Sequence, residues 1–193
     1  TLPGALFNYP PGDASDPLPN VSIAHFKGRR KAWMRQREAL LPPPVREPLH
    51  LVPDLPRQPS AGVSAIQVYI GYDPRQPVAF HVAAHSVQTR SSVPVAITRL
   101  QLSQLPITRR GLTEFTYSRF LAPFLSGYQG WSVFLDADTL CLGDIAALVA
   151  HAQKSPPAPV HVVQGARRFE WASVMVFDNA RCRAITPAVV DDA

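Results

Sequence analysis

Apolar and polar residues alternate from Ile66 to Ile70 (IQVYI), apolar residues recur at helical spacing through Val78, Val82, Ala83 and Val87, and they condense again in Val133-Phe134-Leu135. A period of two marks a strand and a spacing of three to four marks a helix, because those are the intervals at which side chains return to one face. The first run predicts a strand that passes into Gly71-Tyr72-Asp73-Pro74, and the second a helix over 76–90. A strand is expected over 93–100, introduced by Pro94 at its edge, since proline is tolerated at the start of a strand. After a loop holding Arg109, Arg110 and Gly111, a helix is expected over 113–125, with Arg119 beside an apolar face. Beyond the central strand, Gly143-Asp144 introduces another helix. Strand-like runs follow at His161-Val162-Val163 and from Trp171 to Phe177. Strands that alternate with helices imply an α/β fold, a mostly parallel sheet with helices on both faces.

The periodicity fails between Leu40 and Pro59 (LLPPPVREPLHLVPDLPRQP). Each proline there removes a backbone donor and restrains its predecessor, so neither helix nor sheet is expected to persist. This divides the chain into an amino-terminal piece over 1–37, a proline-rich linker over 38–62 and a main piece over 63–193.

Composition narrows the class in four respects. With 46% apolar residues in 193, the chain suits a globular protein of one domain, or one domain and a fragment. A net charge of +5 suits the handling of an anionic substrate, but the basic residues form no dense run and nucleic acid is not indicated. No apolar run approaches the roughly 18 residues of a membrane span, so no integral membrane segment is expected. Two cysteines, Cys141 and Cys182, give no disulfide framework or zinc site, and a reducing compartment is the default. A cytoplasmic location follows, with peripheral attachment to a membrane left open.

The chemistry concentrates in Trp131 to Leu148 (WSVFLDADTLCLGDIAAL). Asp136 and Asp138 stand two residues apart at the end of the apolar strand. If the strand frays after Asp136, both carboxylates can lean into one space at the carboxyl end of the sheet, where open α/β sheets bind ligands. Crowded carboxylates repel each other, and a hard divalent cation relieves them while keeping positions free for nucleotide phosphates. Asp73 would share that crevice. Turn chemistry alone can also produce Asp-x-Asp, since Asp caps helices and tolerates loop geometry. His81 and His85 lie one helical turn apart, but no His-Glu-x-x-His pattern accompanies them, and they are assigned to packing or capping.

A different chemistry also fits Asp136-Ala137-Asp138-Thr139-Leu140. In phosphatases of the haloacid-dehalogenase type the first Asp accepts a phosphoryl group and the second is a general acid. Val189-Val190-Asp191-Asp192 mimics a later acidic motif of that group. Against it, the nucleophile strand normally opens such a domain, whereas two strands and two helices are expected before it here.

Three segments in order carry a family resemblance: IGYDPRQPVAFHVAAHSVQTRSSVPV, EFTYSRFLAPFLSGYQGWSVFLDADTLCLGDIAAL and WASVMVFDNARCRAITP. Together they resemble bacterial glycosyltransferases of the family 8 type, over nearly all of 66–187. The resemblance implies the nucleotide-sugar transferase fold called GT-A, which is Rossmann-like, here with its carboxyl-terminal part absent. It further implies a nucleotide-sugar donor, usually a uridine diphosphate (UDP) sugar, a divalent cation, usually Mn2+, and transfer with retention of configuration to an acceptor that is a saccharide, lipid or protein. Asp136 and Asp138 then match the metal-binding Asp-x-Asp. Tyr72 and Asp73 match the loop that holds base and ribose, and Arg119 the arginine near the donor diphosphate or sugar. Ser173 falls at the sugar-pocket step, although Ala172 stands where the family usually has Asn. No catalytic residue is assigned. A truncated, non-catalytic module of this type is a further alternative.

The amino-terminal piece ends in IAHFKGRRKAW. This resembles the His-x-x-Gly-x-x-Lys-Pro-Trp motif that closes the same family's catalytic domain, with Ala32 in place of Pro. The resemblance makes His25 a third metal ligand and sets Gly28 and Lys31 against the departing diphosphate. The motif lies at the opposite end of the chain from its place in the family. Residues 1–37 are accordingly expected to be the tail of a preceding domain in a tandem pair. Alternatively the order is permuted and the tail folds back to serve Asp136 and Asp138.

Overall fold

The structure is a computed structural model, and it describes Leu2–Pro3, Ile23–His25 and residues 65–164 and 173–192. Gly28 and Lys31, the linker, Arg167-Arg168 and Ala172 lie outside those residues. Eight strands and four α-helices are described: β1 (Leu2–Pro3), β2 (Ile23–His25), β3 (Ile66–Gly71), α1 (Pro77–Arg90), β4 (Val95–Leu100), α2 (Ala122–Leu125), β5 (Trp131–Leu135), β6 (Thr139–Cys141), α3 (Ile145–Lys154), β7 (Val160–Gln164), β8 (Val174–Asp178) and α4 (Pro187–Asp192).

Six strands form one sheet in the order β1-β7-β8-β5-β3-β4. β3 pairs in parallel with both β4 and β5, whereas β8 runs antiparallel between β5 and β7. Since β1 and β7 are parallel, five of the six strands share one direction and only β8 is reversed. β4 is an edge strand of this sheet, and Pro94 stands just before it.

Period-two patterning puts alternate residues of each central strand into different cores. Val68, Ile70, Val133, Leu135, Val174 and Val176 face one layer, where Ala83 and Val87 of α1 and Ile145, Leu148, Val149 and Ala152 of α3 cover them. Tyr69, Phe134, Met175 and Phe177 face the other, against Phe115, Ala122 and Cys182. Helical elements therefore cover both faces.

Two sequence expectations need correction. Residues 113–125 do not form one helix: turns over 114–117 lead into a 3-10 turn at Ser118–Leu121 and then the four-residue α2. Pro123 explains the break, since proline is tolerated in a first turn but not in a helix interior. The second is β6, which was not expected. It pairs antiparallel with β2, with Ile23 opposite Cys141, Ala24 opposite Leu140 and His25 opposite Thr139. Buried Ser86 of α1 supports β6: its hydroxyl donates to the Ala83 carbonyl (2.7 Å) and accepts from the Cys141 amide (2.9 Å).

Candidate functional site

The end of β5 is turned, not frayed. The Asp136 amide extends the β5–β8 ladder by donating to the Ser173 carbonyl at 2.9 Å. The Asp136 carbonyl then accepts from the Thr139 amide (3.2 Å) and the Thr139 hydroxyl (2.7 Å), which closes a four-residue turn over Asp136-Ala137-Asp138-Thr139. Ala137 is buried under the turn, and both carboxylates stay partly accessible. Turn geometry, rather than an extended i, i+2 repeat, thus presents the pair. Because Ile70 stands opposite Leu135, Asp136 is level with Gly71, and the turn lies beside the Gly71-Tyr72-Asp73 loop at the carboxyl end of β3.

Arg119 reaches this turn from the 3-10 segment. Its Nη2 lies 3.2 Å from Asp136 Oδ1, with both side chains largely buried. Its Nε donates to the Phe115 carbonyl at 3.2 Å, and its guanidinium carbon sits 4.9 Å from the Phe134 ring centroid and 5.7 Å from that of Phe115. Burial pulls the guanidinium below the ordinary arginine range, and the charges of Asp136 and then Asp138 oppose that pull. Phe115 in turn packs on Gly71: a Cβ at Gly71 would stand 2.5–2.8 Å from the Phe115 ring. The glycine is needed for close approach, and the ring then sets the height of the carbonyl that holds Arg119.

Tyr72 and Asp73 lie at the same end of the strands but are engaged by other arginines. The Arg99 guanidinium lies 5.0 Å from the Tyr72 ring centroid, while Phe80 meets Tyr72 edge-on at 5.7 Å. The Asp73 carboxylate accepts from Arg75 Nη2 (2.8 Å), Nε (3.0 Å) and the Arg75 amide (2.9 Å). Ser173 is buried and meets Asp136 through its carbonyl. His25 enters through backbone register, opposite the residue that follows Asp138.

With that geometry in place, comparison with known proteins adds the following. No protein-family profile matches the chain. Protein CDI of Arabidopsis thaliana is 46% identical over 92 residues, 42% of this chain and 35% of that protein. Two crystal structures of the glycosyltransferase GlyE of Streptococcus pneumoniae TIGR4, one in its apo form, are similar at a TM-score of 0.47. Their identities are 17% and 15%, over 67% of this chain and 37% of GlyE. The chain thus spans little more than a third of the length of each.

Three positioning residues escaped the sequence reading: Phe115, Thr139 and Gly71. The Gly-Tyr-Asp run at a strand end was visible, but the ring that Gly71 makes room for comes from 44 positions further along the chain. Asp191, the residue of the phosphatase-like closing motif, accepts from the Thr108 amide (2.9 Å) and the Arg109 amide (2.9 Å). It ties α4 to the arginine-bearing loop, whose Arg109 stacks 4.1 Å from the Tyr117 centroid. His81 and His85 are exposed on α1. A cleft of about 670 Å3 opens at the opposite end of the central strands, among Ile66, Gln67, Trp131 and Gln153. None of the sequence-derived site residues lines it. Among the described residues no helix is long and apolar enough to cross a membrane.

Proposed function

We propose that the chain carries the donor-binding part of a glycosyltransferase that takes its sugar from a nucleotide-sugar, most simply a UDP-sugar, with a divalent cation such as Mn2+. The observation that carries the reading is the Asp136–Asp138 turn at the carboxyl end of β5, beside the Tyr72-Asp73 loop and in contact with Arg119. Two acids, a loop and an arginine lie together there, which supports reading them as groups for an ion, a nucleoside and a phosphate.

The donor set suits a hard divalent ion in its oxygen chemistry. Among the described residues no three His, Cys, Asp or Glu side chains gather to hold one, so two carboxylates would share it with donor oxygens and one further ligand. When bound, such an ion would neutralise negative charge on the departing diphosphate. The protein's own residues supply the rest. The bonds from Thr139 and to Ser173 fix the backbone that bears both acids, and Arg119 offers a planar fork suited to phosphate oxygens.

The β2–β6 pairing supports the account in which residues 1–37 fold back on this domain, since it sets His25 level with Thr139 in the backbone register. On that account Gly28 and Lys31, outside the described residues, would serve the departing diphosphate, as the family resemblance implies.

The test incubates the protein with Mn2+ and a UDP-sugar, and separately with p-nitrophenyl phosphate. Release of UDP that is lost in Asp138→Asn, with no phosphate release, is the expected result. Phosphate release that vanishes in Asp136→Asn would establish the phosphatase chemistry instead. UDP binding without UDP release would identify a non-catalytic module.

A further inference from the structure

We propose that Arg119 is the protein's own cation for the carboxylate turn, holding Asp136 in place before a divalent ion arrives and competing with that ion for the same carboxylate. The inference rests on the reading of Asp136 and Asp138 as an ion site.

The geometry leaves little slack. The guanidinium is pinned on one side by the Phe115 carbonyl at 3.2 Å, on the other by Asp136 Oδ1 at 3.2 Å, and it lies over the Phe134 ring. The Asp136 backbone is fixed, its amide by Ser173 and its carbonyl by Thr139, so its carboxylate can meet an ion only within the reach of its own side chain. An arriving cation therefore finds one oxygen of its first ligand already facing a fixed positive charge, in a site where most water has been removed. Like charges at such separations repel far more strongly than in bulk water. Arg119 thus does two opposing things. It saves a largely buried carboxylate from standing uncompensated, and it lowers the affinity of the site for a bare ion. An anionic diphosphate that draws the guanidinium toward itself would release Asp136 and favour ion and nucleotide binding together, so Arg119 is a positioning residue that couples the two.

A purely structural Arg119 would, on replacement, lower stability and leave ion affinity unchanged or weaker. Competition predicts the opposite sign for affinity. Calorimetric titration of manganese chloride, with no nucleotide present, into the wild type, Arg119→Gln and Arg119→Lys makes the comparison. Arg119→Gln should bind Mn2+ at least about tenfold more tightly than the wild type. Arg119→Lys, which keeps the charge but cannot span both Phe115 and Asp136 with a planar fork, should fall between them. The gain in melting temperature from a fixed Mn2+ concentration should follow the same order, by linkage. If Arg119→Gln does not fold, Arg119→Lys must still exceed the wild type in affinity. Equal or weaker binding in the variants overturns the competition while leaving the ion site intact. Mn2+ binding that is absent throughout overturns this inference alone, and Mn2+ binding unchanged in Asp136→Asn overturns the ion-site reading and this inference with it.

Discussion

Gly71→Ala is a one-methyl change whose effect should reach the candidate site. The new Cβ would stand 2.5, 2.6 and 2.8 Å from Cγ, Cδ2 and Cδ1 of Phe115, closer than carbon atoms can approach without something moving. Backbone strain is not the issue, because Gly71 lies within β3 in ordinary strand geometry. The Phe115 ring is itself confined by Phe134, at 6.4 Å between centroids, so it cannot simply rotate away. Overpacking of this kind costs about 1–3 kcal/mol, and at about 2–4 °C per kcal/mol for a chain of this size the melting temperature should fall by about 2–12 °C. Movement of Phe115 carries with it the carbonyl that Arg119 Nε holds at 3.2 Å, so Arg119 should also loosen from Asp136. Scanning calorimetry of the wild type, Gly71→Ala and the double variant Gly71→Ala, Phe115→Leu measures this. The smaller side chain should restore most of the lost stability. A Gly71→Ala protein melting within about 1 °C of the wild type would refute the packing argument.

The remaining predictions are independent of that ring. Asp144 caps α3, accepting from the Ala146 amide at 2.9 Å and from the Ser92 amide at 3.1 Å and hydroxyl. Burial acts to raise its pKa, but these bonds outweigh it and hold the carboxyl below its ordinary range. A lowered folded-state pKa means the cap contributes fully above the unfolded value of about 3.9 and is lost as pH falls through the folded value. Asp144→Ala should therefore cost about 1 kcal/mol near neutrality and flatten the acid limb of a stability–pH curve, and an unchanged limb would sink the assignment. Asp191→Ala should speed hydrogen exchange at the Thr108 and Arg109 amides without altering exchange in β3 or β5; equal protection in both proteins would mean that the contact does not hold the loop. Burial pushes the Cys182 thiol up to about 11, and it donates to the Pro159 carbonyl at 3.2 Å. Cys182 should thus resist alkylation at pH 8 until the protein unfolds, and rapid labelling of the native state would contradict its placement.

How much of this was legible beforehand follows from the range of the forces involved. The strands at 66–71, 95–100 and 131–135 and the helices at 77–90 and 145–154 came from period and capping alone, because their apolar faces and their Pro and Asp punctuation are written within a few residues. The Asp136–Asp138 pair and its place at a strand end were legible for the same reason. What could not be read were partners brought from far away. Arg119 was expected beside an apolar face, but its contact with Asp136 depends on Phe115 resting on Gly71, three segments that meet only in the folded sheet. β6 is three residues long and is defined by its partner β2 and by Ser86, so no local pattern announces it. The break before α2 could have been read, since Pro123 falls inside the span expected to be helical. Arg75 sits two residues from Asp73, yet its grip on that carboxylate is a matter of loop conformation that neither residue encodes alone.

In the proposed function, the two carboxylates of the Asp136–Asp138 turn hold a cation and, through it, a nucleoside diphosphate. Calorimetric titration of UDP in saturating Mn2+ tests it most directly, with the wild type set beside Asp138→Asn and the Asp136→Asn, Asp138→Asn double variant. The account predicts measurable binding to the wild type that requires Mn2+, at least about tenfold weaker binding in the single variant and none in the double variant. Binding of UDP with equal affinity in all three proteins, or in the absence of any divalent ion, would contradict it.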